Sequence, residues 1–257
     1  MMHAVQLTIV ERRIPAPEHV ELIFEGGDWA RGLEPGQFVH VATGGPLRRP
    51  LSFSRIEGTL VGVLFRVVGE GTEWLAHRGV GERLDLLGPL GHGFPPPPAG
   101  PVALVGGGVG IPPLFCYAER WPTANLSVLL GARDRASLIM VTDFQGLSRE
   151  PLVATDDGSV GHRGRVTALL HDWLAAHPGG VVMACGPTPM LQESARLASL
   201  AGRPAWLGFE QRMGCGVGAC LACVVPAAPG AGRDWYRVCT DGPVFPREAL
   251  YREAVTT

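Results

Sequence analysis

The sequence contains no lysine: all 22 of its basic residues are arginine. That absence excludes chemistry built on an ε-amine, such as a Schiff base or a Walker-type phosphate loop. A strong charge of either sign is missing too. A formal net charge of −2 leaves no electrostatic footprint for nucleic acid. No apolar run is long enough to span a bilayer, so no membrane anchorage is expected. The opening stretch, MMHAVQLTIVERR, lacks a secretory hydrophobic core and reaches charge quickly. The 36 glycines and 23 prolines show no period, which excludes collagen and solenoid repeats. A reducing, cytoplasmic setting is therefore expected. There the six cysteines are expected to bind metal or react rather than pair as disulfides.

What is present is enough apolar residue, 46% of 257, to fill more than one core. The first third reads as β, with short apolar or alternating runs at 6–14, His19–Glu25, 37–43, 59–68 and 82–87. Glycine and proline clusters separate them, as in a small antiparallel barrel. A short helix is expected from near Gly71 through Ala76. The run Pro95-Pro96-Pro97-Pro98-Ala99-Gly100-Pro101 then reads as a stiff linker that cannot join a sheet interior. Beyond it, strands at 102–105, 126–130, Leu152–Thr155 and 181–184 alternate with helical spacing at 166–177 and 190–201. Alternation of that kind argues for a parallel sheet with crossover helices. The last fifty residues break the rhythm and read as a small third module. The expected division is 1–97, a barrel domain; 98–207, an α/β nucleotide domain; and 208–257, a cysteine-bearing module.

That module reads Cys215-Gly-Val-Gly-Ala-Cys220-Leu-Ala-Cys223, with fifteen further residues before Cys239. The C-x4-C-x2-C…C spacing is that of plant-type [2Fe–2S] sites. Thiolates bring negative charge to ferric iron, and the loop must wrap the cluster closely. Gly216, Gly218, Ala219 and Ala222 keep side chains out of the way, so backbone N–H groups can face the sulfurs. Two other readings stand beside it: a structural zinc site, which normally uses two C-x2-C knuckles, and a disulfide pair. Cys116 reads as a small buried hydrophobe.

Gly106, Gly107, Gly108 and Gly110 follow the strand at 102–105 and lead into Pro112-Pro113, a helix start. A glycine loop at a helix N-terminus suits a pyrophosphate, although the spacing is not G-x-G-x-x-G. Cys185-Gly186-Pro187-Thr188-Pro189-Met190 repeats the arrangement after the strand at 181–184. Both loops lie at carboxyl ends of parallel strands and so face one crevice. Thr155-Asp156-Asp157-Gly158-Ser159 meets the same edge, as part of a binding site or as a solvated turn. In the barrel, Arg48-Arg49-Pro50-Leu51-Ser52 offers an arginine for a pyrophosphate and a serine for a flavin ring, or is simply a basic turn. Gly69-Glu70-Gly71-Thr72 could add backbone N–H groups to a phosphate.

Taken in order, RRPLS, VGEGT, GPLGHGF, VGGGVGIPPL, TDDGS, CGPTPML, EQRM and CGVGACLAC resemble the ferredoxin–NADP reductase superfamily. Within it the chain is similar to the electron-transfer subunits of class 1B, NAD-dependent dihydroorotate dehydrogenases. The resemblance implies FAD held by Arg49, Pro50, Leu51, Ser52, Leu64, Phe65, Arg66, Gly71 and Thr72. It implies a [2Fe–2S] cluster on Cys215, Cys220, Cys223 and Cys239. NAD, as substrate, is expected at Gly107, Gly108, Gly110, Cys185, Gly186 and Pro187. The implied partner is an FMN-containing catalytic subunit that oxidises dihydroorotate to orotate in pyrimidine biosynthesis. The family suggests a heterotetramer with two copies of each chain. No general acid or base is expected.

Two positions depart from the pattern: Leu51 stands where the superfamily usually has an aromatic residue, and Gln211 replaces an expected acidic one. Arg133 and Arg135 leave NADP open, while the resemblance favours NAD. The rival readings are a related reductase subunit serving a hydrogenase, a sulfite reductase or a ferredoxin, and a non-catalytic zinc-binding interaction module.

Overall fold

The first strand, β1 (His3–Ala16), is long enough to serve two neighbours. Its second half pairs with β2 (His19–Glu25) and its first half with β6 (Arg83–Leu90), which closes a barrel. Between them lie β3 (Phe38–Val41), β4 (Arg49–Glu57), β5 (Leu60–Arg66) and the short helix α1 (Glu70–Ala76). The order around the barrel is β1-β2-β5-β4-β3-β6, antiparallel throughout. Closure removes free sheet edges and shuts Ile9, Leu22, Phe24, Val39, Val41, Phe53 and Val63 inside. The structure, a computed structural model, describes residues 2–122 and 124–251.

The α/β domain runs through β7 (Val102–Gly107), α2 (Ile111–Arg120), β8 (Leu126–Ala132), α3 (Val141–Gly146), β9 (Leu152–Thr155) and β10 (His162–Arg163). It continues with α4 (Val166–Ala176), β11 (Val181–Cys185), α5 (Thr188–Leu200) and β12 (Ala205–Gly208). β7 is apolar throughout because both of its faces are covered. Val102 and Leu104 pack with Leu114, Phe115 and Tyr117 of α2; Ala103 and Val105 pack with Leu170 and Trp173 of α4 and Leu191 of α5.

Helix α2 also seals the sheet against the barrel, where Leu64 joins its core. A buried polar network ties the same seam. Glu21 accepts from Ser54 at 2.7 Å and from Arg55 at 2.9 Å, and Arg55 also reaches Asp143 of α3. The proline run is no free tether: the Tyr117 hydroxyl donates to the Pro95 carbonyl at 3.1 Å.

The chain ends in β13 (Val224–Pro226), β14 (Trp235–Arg237), α6 (Val238–Asp241), β15 (Val244–Pro246) and α7 (Arg247–Leu250). These last residues are not detached. β15 pairs antiparallel with β12, giving a seven-stranded sheet of order β10-β9-β8-β7-β11-β12-β15. The His92 N–H donates to the Gly242 carbonyl at 2.7 Å, and the Phe209 N–H to the Pro243 carbonyl at 2.9 Å. The cysteine module is thereby fastened to the barrel end and to the sheet.

Sequence patterning left out several elements. The RRPLS segment does not form a basic turn: Arg49 opens β4, nine residues long. Its Pro50 lies opposite His40, at a barrel position patterning would not give to proline. α3 and β12 were also unanticipated, the first at six residues and the second at four, both too short to show a period.

Candidate functional site

A single cleft of about 1260 Å³ lies between the barrel and the parallel sheet. It is lined by Arg49, Pro50, Leu51, Ser52, Leu64, Phe65, Arg66 and Thr72 from the barrel side, and by Gly107, Gly108, Gly110, Cys185, Gly186 and Pro187 from the sheet side. Folding thus brings together two sets of residues that the sequence holds more than a hundred positions apart at their extremes. Gly71 is not among the lining residues; it stands behind the wall. A Cβ there would meet the Arg49 guanidinium at 2.5–2.7 Å, so glycine leaves the space that Arg49 fills. Arg49 is oriented by donating to the Leu47 carbonyl at 2.9 Å.

Other barrel residues of the cleft also have partners within the chain. The Thr72 hydroxyl is turned inward: it donates to the Gly69 carbonyl at 2.9 Å and accepts the Val68 N–H at 2.9 Å. It therefore holds the turn before α1. Arg66 is paired to Glu18 at 2.7 Å. The Leu64 and Phe65 side chains are 4% and 2% exposed, so each offers the cleft only a sliver of surface. Leu51 packs against the barrel core.

On the sheet side the two glycine loops touch. A Cβ on Gly110 would stand 2.2 Å from the Cys185 carbonyl oxygen, and one on Gly107 would stand 2.9 Å from the Met190 sulfur. The first loop therefore has no room for side chains where it meets the second. Burial, with Glu210 nearby, pushes the Cys185 thiol up to about 12, so it stays protonated and is a poor nucleophile. Asp156 and Arg133 line the cleft. Asp157 instead accepts the Ser159 N–H at 2.9 Å, and Arg135 donates to the Ser159 carbonyl at 3.0 Å.

The four module cysteines are free thiols and fall into two pairs. Cys215 lies beside Cys220, and Cys223 beside Cys239. The N–H groups of Val217, Ala219 and Cys220 point at the Cys215 sulfur at 3.3–3.4 Å, and the Gly218 N–H points at the Cys239 sulfur at 3.2 Å. Those amides pull the Cys215 thiol down to about 6, chiefly through Val217. Burial and the neighbouring Cys223 push Cys239 up to about 11.

Two thiol pairs facing backbone donors fit a binuclear cluster, which takes two thiolates per iron. Among the described residues, no three His, Cys, Asp or Glu side chains converge on a point that would hold one metal ion.

Strand β3, which falls within the run expected at 37–43, joins the cleft to this module. Val39 and Val41 point into the barrel, whereas Phe38 packs outward with Cys223, Cys239 and Phe245. Phe38 also lines the cleft. His40, two residues on, has no exposed surface, and neither ring nitrogen has a partner among the described residues. Burial and the nearby Arg48 guanidinium lower its pKa to about 4, so the ring is neutral. Glu210, Gln211, Arg212 and Met213 border the cleft just before the first cysteine. The strand itself is legible in the sequence; that its outward face meets the cysteines is not.

Comparison with known proteins agrees with this arrangement. Residues 210–251 match the family described as the iron–sulfur cluster binding domain of dihydroorotate dehydrogenase B. The chain is 42% identical over 252 residues to the dihydroorotate dehydrogenase B (NAD(+)) electron transfer subunit of Geobacillus thermodenitrificans, covering 93% of this chain and 95% of that one. The counterpart from Desulforamulus reducens is 40% identical over 241 residues, covering 90% and 92%. Among solved structures, a chain of an NADH-dependent reduced ferredoxin-NADP oxidoreductase superposes with a TM-score of 0.81 at 31% identity, covering 95% and 89%. A ferredoxin reductase of carbazole 1,9a-dioxygenase shares the fold at 19% identity and a TM-score of 0.68, covering 79% and 67%. With a shared barrel, sheet and cysteine module and this identity along nearly its whole length, the chain belongs to the dihydroorotate dehydrogenase B electron-transfer subunits of the ferredoxin–NADP reductase superfamily.

Proposed function

We propose that this chain carries electrons between a nicotinamide nucleotide and an FMN-containing dihydroorotate dehydrogenase catalytic subunit, using FAD in the cleft and a [2Fe–2S] cluster on Cys215, Cys220, Cys223 and Cys239. The net reaction of the assembly is oxidation of dihydroorotate to orotate with reduction of NAD⁺. When bound, a flavin exchanges one or two electrons and the cluster one, so together they connect hydride transfer to single-electron steps.

One observation carries the reading: Phe38 lines the cleft and packs on Cys223 and Cys239. The cofactor cleft and the cysteine loop share a wall one side chain thick. Arg49 and Ser52 suit the phosphate and ring of a flavin on the barrel side. Gly107, Gly108, Gly110, Gly186 and Pro187 allow the close backbone approach that a nicotinamide dinucleotide needs across the cleft. Cys185, held protonated, packs there without acting as acid or base. The residues bind, orient and exclude water; none transfers a proton.

Cys220 is exposed, and Val217, Leu221 and Trp235 are exposed apolar residues of the same module. This is the face suited to the catalytic subunit, in a cytoplasmic assembly with two copies of each chain. No helix of the described residues is long and apolar enough to cross a membrane.

An anaerobic absorption spectrum before and after NADH tests the proposal. Flavin bands above a broad iron–sulfur absorbance, both bleached by NADH, are expected. A protein purified under iron supply with no iron–sulfur absorbance would overturn it.

A further inference from the structure

His40 is a buried polar side chain with nothing among the described residues to bond to. Its exposure is 0%, and Nδ1 and Nε2 both lack a partner. A neutral imidazole carries one N–H donor and one acceptor nitrogen, and a buried donor left unpaired is destabilising. Such orphans are rare enough to call for a partner.

The ring's position names the partner. The Cε1–Nε2–Cδ2 edge lies 3.0–3.1 Å from where a Cβ on Gly216 would stand. Gly216, at φ +72°, follows Cys215 directly and turns the chain into the loop whose amides face the Cys215 and Cys239 sulfurs. Phe38, on the same outward face of β3, packs on Cys223 and Cys239, with its ring 6.0 Å from that of His40. The imidazole is thus built into the wall of the cysteine cradle, held there by the barrel rather than by the loop. Gly216 has no side chain to come between them.

We propose that His40 donates an N–H hydrogen bond to the iron–sulfur cluster, to a thiolate or a sulfide on the Gly216 side, and thereby raises its reduction potential. The inference rests on the [2Fe–2S] reading above. Reduction adds one negative charge to the cluster, so a donor aimed at it is more favourable in the reduced state. His40 acts as a positioning and tuning residue, without ligating iron. The remaining ring nitrogen is an acceptor only.

The test uses the holoprotein. Iron, sulfide and flavin are first measured in the wild type; no iron there means that the cluster reading fails, whatever His40 does. The midpoint potential of the cluster is then followed by EPR-monitored anaerobic titration in wild type, His40→Leu and His40→Gln. The expected result is a shift to more negative potential in the leucine variant at unchanged iron and sulfide content. The glutamine variant, which keeps an N–H donor, should recover part of the shift. An unchanged potential in a fully loaded leucine variant would overturn the proposal and leave the cluster reading standing. The wild type gives an answer even if the variants do not fold. With ¹⁵N-histidine incorporated, pulsed EPR of the reduced cluster should detect hyperfine coupling to a histidine nitrogen. A trapped water as the ring's partner predicts no such coupling, and its absence would equally overturn the assignment.

Discussion

The guanidinium of Arg49 occupies the space that a side chain on Gly71 would take, with Nε, Cζ and Nη2 all within 2.7 Å of the missing Cβ. A strand residue and a helix residue of the barrel are thus matched, one long and one absent, at the wall of the cofactor cleft.

Gly71→Ala should therefore displace Arg49. Flavin affinity is expected to fall about tenfold, roughly 1.4 kcal/mol. Flavin retained after gel filtration reads this out, with circular dichroism as the control for folding. A variant that holds FAD as tightly as wild type would mean that Arg49 does not contact it.

Gly110→Ala acts on the other wall. The new methyl would meet the Cys185 carbonyl at 2.2 Å, so the glycine loop and the end of β11 must move apart. Overpacking of this kind costs about 1–3 kcal/mol. Steady-state diaphorase assays should show KM for NADH raised several-fold, with flavin and iron contents near wild type. Loss of flavin with an unchanged KM would assign the loop to the wrong ligand.

Cys220→Ser separates the two halves of the electron path. Reduction of the flavin by NADH should survive, while NADH-linked turnover with the catalytic subunit is lost. Stopped-flow flavin bleaching and an orotate assay on the reconstituted complex measure the two. Undiminished orotate formation would show that electrons bypass the cysteine loop.

Glu119 gives a pH-dependent stability test. Burial raises its carboxyl pKa, although the Ile56 N–H and Arg55 act in the opposite direction. A carboxyl with a raised folded-state pKa favours folding most when protonated. Its contribution is present below the ordinary carboxyl range and is lost as pH rises through the raised value. Glu119→Gln should then raise Tm modestly at pH 7, and the gain should vanish at acid pH, below the ordinary carboxyl range. Melting curves of both proteins at the two pH values decide it; a lower Tm for the variant at pH 7 would reverse the sign of the argument.

Much of this architecture is legible locally. Strand β2, the helix after Gly69, both glycine loops and the first three cysteines each depend on residues within a dozen positions of one another. Segments whose state depends on distant partners were harder to see. RRPLS looks like a basic turn until β3 and β5 pair on either side of its strand. Val244–Pro246 belongs to a sheet whose nearest strand ends at Gly208. That the Thr72 hydroxyl is spent on the backbone of its own turn is likewise visible only in the folded chain.

By itself the sequence determined the chemistry that can be carried: four cysteines spaced to hold two irons, and glycines where a phosphate or a neighbouring loop must come close. Such spacing is a property of short chain segments, and the chain's covalent geometry sets it. Only the tertiary structure decided what faces those segments. Closure of the barrel turned Val39 and Val41 inward and so turned Phe38 and His40 outward, because side chains alternate along a strand. Return of β15 to the sheet edge then set the cysteine loop against that outward face. No residue near the cysteines in sequence signals that a barrel histidine stands beside them.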